Sequence, residues 1–153
     1  MPWSLGATSD DKKLKTIDHF INKQVVVTEK LDGENFTLAA DRCHARSIDS
    51  GSHESRSSVK RLWASIKNDI PDTMKIHGEN LFARHSIIYN NLPSYFIVFA
   101  ISDNFTFLSW EDTKFYADEL NLIVAPVLYE GIFDEGVIRS LFTGKSVYGD
   151  NER

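Results

Sequence analysis

Cysteine is nearly missing from this chain: Cys43 stands alone in 153 residues. One thiol excludes an internal disulfide framework and suits a reducing compartment. Histidine is sparse as well. His19, His44, His53, His77 and His85 show no paired ligand spacing, so no residue is assigned as a metal ligand. Long apolar runs are absent: no stretch approaches a membrane span, and the opening MPWSLGATSDDKKLK has no segment of signal-peptide type. The expectation is a chain with no membrane partner and a cytoplasmic location, in which the sequons at Asn35 and Asn104 carry little meaning. Positive charge is in deficit too. Seventeen Lys and Arg against 22 Asp and Glu leave a formal net charge of −5, which weighs against an indiscriminate nucleic-acid coat but not against a local basic track. Repeats and low-complexity linkers are missing, so residues 1–153 read as a single domain.

What is present has a mixed rhythm. Leu14, Ile17, Phe20 and Ile21 predict a short helix over 10–23. Val25–Glu29 and Phe36–Ala40 alternate as strands on either side of LDGE, and Asp-Gly there predicts a hairpin. His44–Ile48 reads as a third strand. In SSVKRLWASIKND, Val59, Leu62, Trp63 and Ile66 follow i, i+3, i+4, i+7 with a serine as candidate N-cap, which predicts an amphipathic helix. Arg56, Lys60 and Lys67 fall opposite that stripe, as a solvated face or as a phosphate-tracking one. Lys75–Leu81, Tyr95–Ser102 and Ile123–Tyr129 read as strands, Trp110–Leu120 and Asp134–Phe142 as helices. Without a βαβ rhythm, the fold class is α+β, with largely antiparallel sheet and flanking helices.

Two motifs bear on chemistry. TGKS at 143–146 has the ending of a phosphate-binding loop. Arg139 occupies the position of its first glycine, however, and a helix precedes it where a strand is needed, so it is set aside. Lys30, in VVVTEKLDGENFTL, is different. An ordinary lysine has a pKa of about 10.4 and is an ammonium at neutral pH. A nucleophilic one needs desolvation or neighbouring cations, at a cost on the order of 4 kcal/mol for a three-unit shift. A surface turn with exposed charges is the plain alternative.

EKLDGENF resembles the nucleotidyl-acceptor motif of the covalent nucleotidyltransferases: ATP-dependent DNA and RNA ligases and mRNA capping enzymes. Its flanking glutamate and Asn-Phe are similar to the RNA ligase version. HARS, HGENL and SYFIVFAI resemble that family's following motifs, in order and at similar spacing, across roughly residues 25–130. The resemblance implies that Lys30 forms a lysine–AMP intermediate with ATP. It implies Glu29 at the adenine edge, Leu31 in the nucleotide pocket, Arg46 on the ribose or a phosphate, and Glu79 on a ribose hydroxyl. Phe99 would stack on the base, and Asn35 would serve the sealing step. AMP would then pass to an RNA 5′-phosphate with magnesium support, joining RNA ends as in RNA repair. Phe99 as plain core, Glu79 as a turn cap and Arg46 as a surface arginine are the corresponding plain alternatives.

The chain departs from the pattern at Ala100, where many relatives carry an acidic residue. It also stops at YGDNER, where a glutamate-bearing strand and then a two-lysine strand would follow. It is therefore expected to be the N-terminal part of such a domain, truncated at the C-terminus. Open sheet edges would then favour self-association or a complementing chain. A non-catalytic ATP- or RNA-binding fragment and a DNA ligase- or capping-type enzyme are the alternatives.

Overall fold

The computed structural model describes residues 16–46, 54–83 and 85–152. In chain order the elements are β1 (Gln24–Thr28), β2 (Glu34–Ala39), β3 (Cys43–Ala45), α1 (Ser57–Ile66), β4 (Met74–Asn80), β5 (Phe96–Asp103), β6 (Thr106–Phe107), α2 (Trp110–Glu119), β7 (Ile123–Val124), β8 (Val127–Ile132), α3 (Glu135–Ser140), β9 (Lys145–Ser146) and β10 (Gly149–Glu152). They belong to two compact units: residues 28–126 with 144–153, and the segments before and after them up to Val27 and from Val127 to Thr143.

The larger unit holds a six-stranded sheet in the order β3-β2-β4-β5-β6, with β7 added parallel to β5. Every other ladder in that sheet is antiparallel, as the α+β reading expects. Alternation explains the two faces. Along β4, Met74, Ile76, Gly78 and Asn80 are buried, while Lys75, His77 and Glu79 are half-buried between them. The apolar set packs with Phe36, Leu38, Val98 and Ile101 against Val59 and Ile66 of α1 and Ala117 of α2. Opposite Phe36, Gly78 leaves room for the Phe96 ring; a Cβ there would also come within 2.7 Å of the Ile97 carbonyl. The stripe of α1 falls where the spacing puts it, and Trp63 Nε1 donates to the Ala39 carbonyl at 2.7 Å. Its start differs: Arg56 holds the N-cap position and no side chain caps it. α2 has a serine cap, with Ser109 Oγ accepting from the Asp112 N–H at 3.0 Å.

In the smaller unit, β1 pairs with β8 as a two-stranded ribbon. The Phe20 and Phe133 rings stack with centroids 5.5 Å apart, and the Phe133 N–H donates to the Lys23 carbonyl at 2.8 Å. Asp134 caps α3 by accepting from the Val137 N–H at 2.9 Å.

Several expectations are corrected. The LDGE segment does not close a β1–β2 hairpin: β1 pairs with β8, and β2 pairs with β3 and β4. The 10–23 helix is a single 3-10 turn at Asp18–Phe20 before β1, with residues 10–15 outside the described ones. The strand expected over 123–129 is two strands. Pro126 has no N–H to donate, and at that point the chain changes partner from β5 to β1. β6, β9 and β10 were not foreseen; GKS runs into β9 rather than a helix, as its dismissal requires.

Candidate functional site

Between β1 and β2 the backbone is pinned outward. The Glu29 N–H donates to the Pro126 carbonyl at 2.9 Å. The Asp32 N–H donates to the Tyr89 hydroxyl at 2.6 Å, and the Gly33 N–H to Glu79 Oε1 at 3.1 Å. Asp32 itself accepts from the Ser86 N–H at 3.0 Å, the Ser86 hydroxyl and the Ile87 N–H. Burial works to raise the Asp32 carboxyl, but the Ser86 and Ile87 donors outweigh it and hold it below its usual value. Gly33 is there for close approach: a Cβ would lie 2.6 Å from the Asn80 carbonyl and 3.0 Å from Glu79 Cγ. With donors spent this way, no hairpin ladder forms, and Lys30 leaves the segment with an exposed side chain.

Two adjoining cavities meet at Lys30, Asn35 and Glu79. The smaller, about 360 Å³, is lined by Thr28, Glu29, Lys30, Leu31, Asn35, Glu79, Ile97, Phe99 and Ala125. The larger, about 770 Å³, adds Arg46, Arg56, Glu34, Asn80 and His85 around the same three residues. The smaller mixes four apolar side chains, Leu31, Ile97, Phe99 and Ala125, with polar and charged ones, and the larger is lined almost wholly by polar and charged residues.

Six of the seven residues singled out in the sequence thus share the smaller cavity. Glu29 is buried, and its Oε2 accepts from the Val147 N–H at 2.9 Å, a contact across 118 residues. Leu31 is buried with Leu81, Ile97 and Ala125 in a second apolar cluster behind the cavity. Glu79 is paired with Asn35 across β4 and β2. Its carboxyl is pushed up by burial, against the pull of the Gly33 N–H and Lys30. Phe99 is not plain core. The β4–β5 register slips between His77 and Gly78, so that Val98 and Ala100 have partners and Phe99 is the bulged residue between them. It is 36% exposed and faces the cavity. Arg46 stands apart from the other six: it is exposed, lines only the larger cavity, and its N–H donates to the Asn35 carbonyl at 2.9 Å.

The sequence reading put Arg56 on a helix face, solvated or phosphate-tracking, and did not foresee its carboxylate partner. Arg56 is 7% exposed rather than on a solvated helix face, and its Nε donates to both Glu34 oxygens at 2.9 and 3.0 Å. Arg56 holds the Glu34 carboxyl below the usual range, and Glu34 raises the guanidinium. Asn80 joins them, its Nδ2 donating to the Ser55 carbonyl at 3.3 Å. The only local signal was a glutamate between Gly33 and Asn35; its partner lies 22 residues away.

An exposed lysine thus stands where a partly apolar slot meets a charged hollow, on a mainly antiparallel sheet. The sequence model of the RNA ligase family matches residues 23–153. The chain belongs to the RNA ligase family and carries its nucleotidyltransferase fold. Among solved structures it is similar to a point mutant of the Naegleria gruberi RNA ligase in the apo state, with a TM-score of 0.66 and 15% identity. That match covers 90% of this chain and 46% of the other, so the chain spans about half the length of that relative. No curated protein matches.

Proposed function

We propose that this chain is the nucleotidyltransferase part of an ATP-dependent RNA ligase, one domain over residues 1–153, in which Lys30 takes up AMP. The observation that carries this reading is the cavity where Lys30 meets Glu29, Leu31, Asn35, Glu79 and Phe99. Adenine is flat with apolar faces and polar edges. Leu31, Ile97, Phe99 and Ala125 supply apolar walls, and the buried Glu29 supplies an acceptor among them. Stacking on Phe99 contributes about 1–3 kcal/mol. Glu79, whose half-buried carboxyl is pushed up by desolvation, gains a donor from a ribose hydroxyl.

Lys30 Nζ, its proton gone to solvent, attacks the α-phosphorus. A nitrogen–phosphorus bond forms as the bond to the bridging oxygen breaks, and pyrophosphate leaves with that electron pair. Arg46 stands in the larger cavity to meet phosphate charge as it develops. AMP then passes to an RNA 5′-phosphate, and a 3′-hydroxyl displaces it, a step that Asn35 would serve. Among the described residues no three His, Cys, Asp or Glu gather as a metal cage. Magnesium commonly takes one or two carboxylates plus substrate phosphates, so here it would be held chiefly through the phosphates of ATP. Its chemistry would be to draw charge from phosphate oxygens.

The test is incubation with magnesium and ATP labelled on the α-phosphate, then denaturing electrophoresis beside Lys30→Ala. Label on the wild type alone is expected. A folded wild type that takes no label overturns adenylylation by this chain, and saturable ATP binding without pyrophosphate release would make it a binding module.

A further inference from the structure

The hairpin between β5 and β6 breaks a rule of its own turn type. Ser102 pairs with Phe107 and Asp103 with Thr106, leaving a two-residue loop of Asn104 and Phe105. Both have positive φ, 45° and 67°. That is the geometry of a type I′ turn, whose preferred sequence is Asn-Gly. Asn104 obeys; Phe105 does not, and a bulky residue at positive φ is a genuine outlier. Burial does not compensate, since Phe105 is 91% exposed. Strain held at an exposed side chain is a reason to look for its use.

Its surroundings supply one. Lys75 Nζ lies 5.0 Å from the Phe105 ring centroid. Phe107, 68% exposed, meets the edge of His77 with centroids 5.6 Å apart. His44 is exposed on the neighbouring β3, opposite the Thr37 that hydrogen-bonds His77. Lys75, His77 and Glu79 alternate along β4, so these rings stand on the sheet face that also carries the candidate site. Lys75 and Glu79 are four residues apart, about 13 Å along a strand.

We propose that Phe105 and Phe107, with Lys75, His77 and His44, form a stacking platform for single-stranded RNA that continues from the Lys30 cavity. That the strand is RNA rests on the ligase reading above; the platform rests on the hairpin. Every unpaired base has a face to offer an exposed ring, and Lys75 meets the backbone charge. Duplex bases are already stacked and do not reach such rings. The Phe105 ring meets Lys75 and the Phe107 ring meets His77, polar partners that suit bases better than the apolar centre of a protein interface.

The experiment measures fluorescence anisotropy of a labelled twelve-nucleotide uridylate, and of duplex RNA of equal length, at fixed salt. The proteins are the wild type, Phe105→Gly and Phe107→Ser. Each substitution is expected to weaken single-strand binding about tenfold. Phe105→Gly is also expected to hold or raise Tm, because glycine relieves the positive φ; a merely structural phenylalanine would lower it. Unchanged single-strand affinity in both variants overturns the proposal, as does a wild type that binds no uridylate or prefers the duplex. Sedimentation showing a dimer that Phe105→Gly dissociates, with RNA affinity intact, would assign the face to a second copy and overturn it too. Lys30 labelling from ATP is read on the same wild-type preparation. Its absence counts against the ligase reading and leaves the stacking result standing.

Discussion

The two faces of the six-stranded sheet are made by the same strands and obey different rules. Toward the helices, Phe36, Leu38, Ile76, Val98 and Ile101 are all at or below 1% exposure. On the opposite face the same strands present Asn35, Thr37, Lys75, His77 and Glu79. Burial there is partial at Asn35, Lys75, His77 and Glu79 and complete at Thr37 and Ser102, and it is spent on hydrogen bonds: His77 Nδ1 meets Thr37 Oγ1 at 3.2 Å and His77 Nε2 meets Ser102 Oγ at 3.0 Å. Burial, together with Lys75 and His44, pushes the His77 imidazole below its ordinary pKa. The difference teaches where stability and chemistry are kept. One face holds the strands together, and the other can carry strained or half-buried polar groups because it does not have to.

That separation can be broken by substitution, most strongly on the helix side. Phe36→Ala is expected to cost about 3–5 kcal/mol in chemical denaturation, the range for an aromatic lost from a closed core. Next is Arg56→Ala, at about 2–3 kcal/mol, because it strands the part-buried Glu34 carboxylate. The pH dependence follows from the sign of the shift. Glu34 titrates lower in the folded chain, so its stabilising contribution is present above its ordinary value near 4.5 and is lost as pH falls through the lower folded value. Denaturation from pH 6 to 3 should therefore show a shallower acid decline in Arg56→Ala than in wild type.

On the polar face, effects on stability and on binding should part company. Glu79 is shifted the other way: its carboxyl is raised, so its ionised form costs stability above the folded pKa and the cost disappears as pH falls. Glu79→Gln is expected to leave Tm at pH 7 equal or higher while weakening ATP binding by at least about tenfold, as loss of a charged acceptor implies. Calorimetry on one preparation reads both. The smallest change is Thr37→Val, about 1 kcal/mol for the lost bond to His77, read by denaturation. If it cost as much as Phe36→Ala, the two faces would not differ in the way described.

Legibility in the sequence followed range. The alternation of Lys75–Leu81 predicts β4 to within a residue, and the stripe from Val59 to Ile66 predicts α1 and its buried side. Glu29, Lys30, Leu31, Asn35, Glu79 and Phe99 could be picked out because each sits in a short window whose pattern is complete locally. Which strand pairs with β1 was not legible. Asp-Gly makes a hairpin only if its donors are left for one, and here Gly33 is bonded to Glu79 and Asp32 to Tyr89. Arg56 was misread for the same reason, since helical periodicity carries no information about a carboxylate 22 residues earlier.

The sequence by itself determined the side each residue takes on its own element, since periods of two and of 3.6 are properties of the local backbone. It also determined which residue types were available for chemistry near Lys30. Only the tertiary structure decided what those sides face. It joined β1 to β8, brought the Val147 N–H to Glu29, and aligned Lys75 with Phe105 at the far end of the Lys30 face. Such choices depend on closing long loops and on burying polar groups with partners, and both are sums over the whole chain rather than features of any one segment.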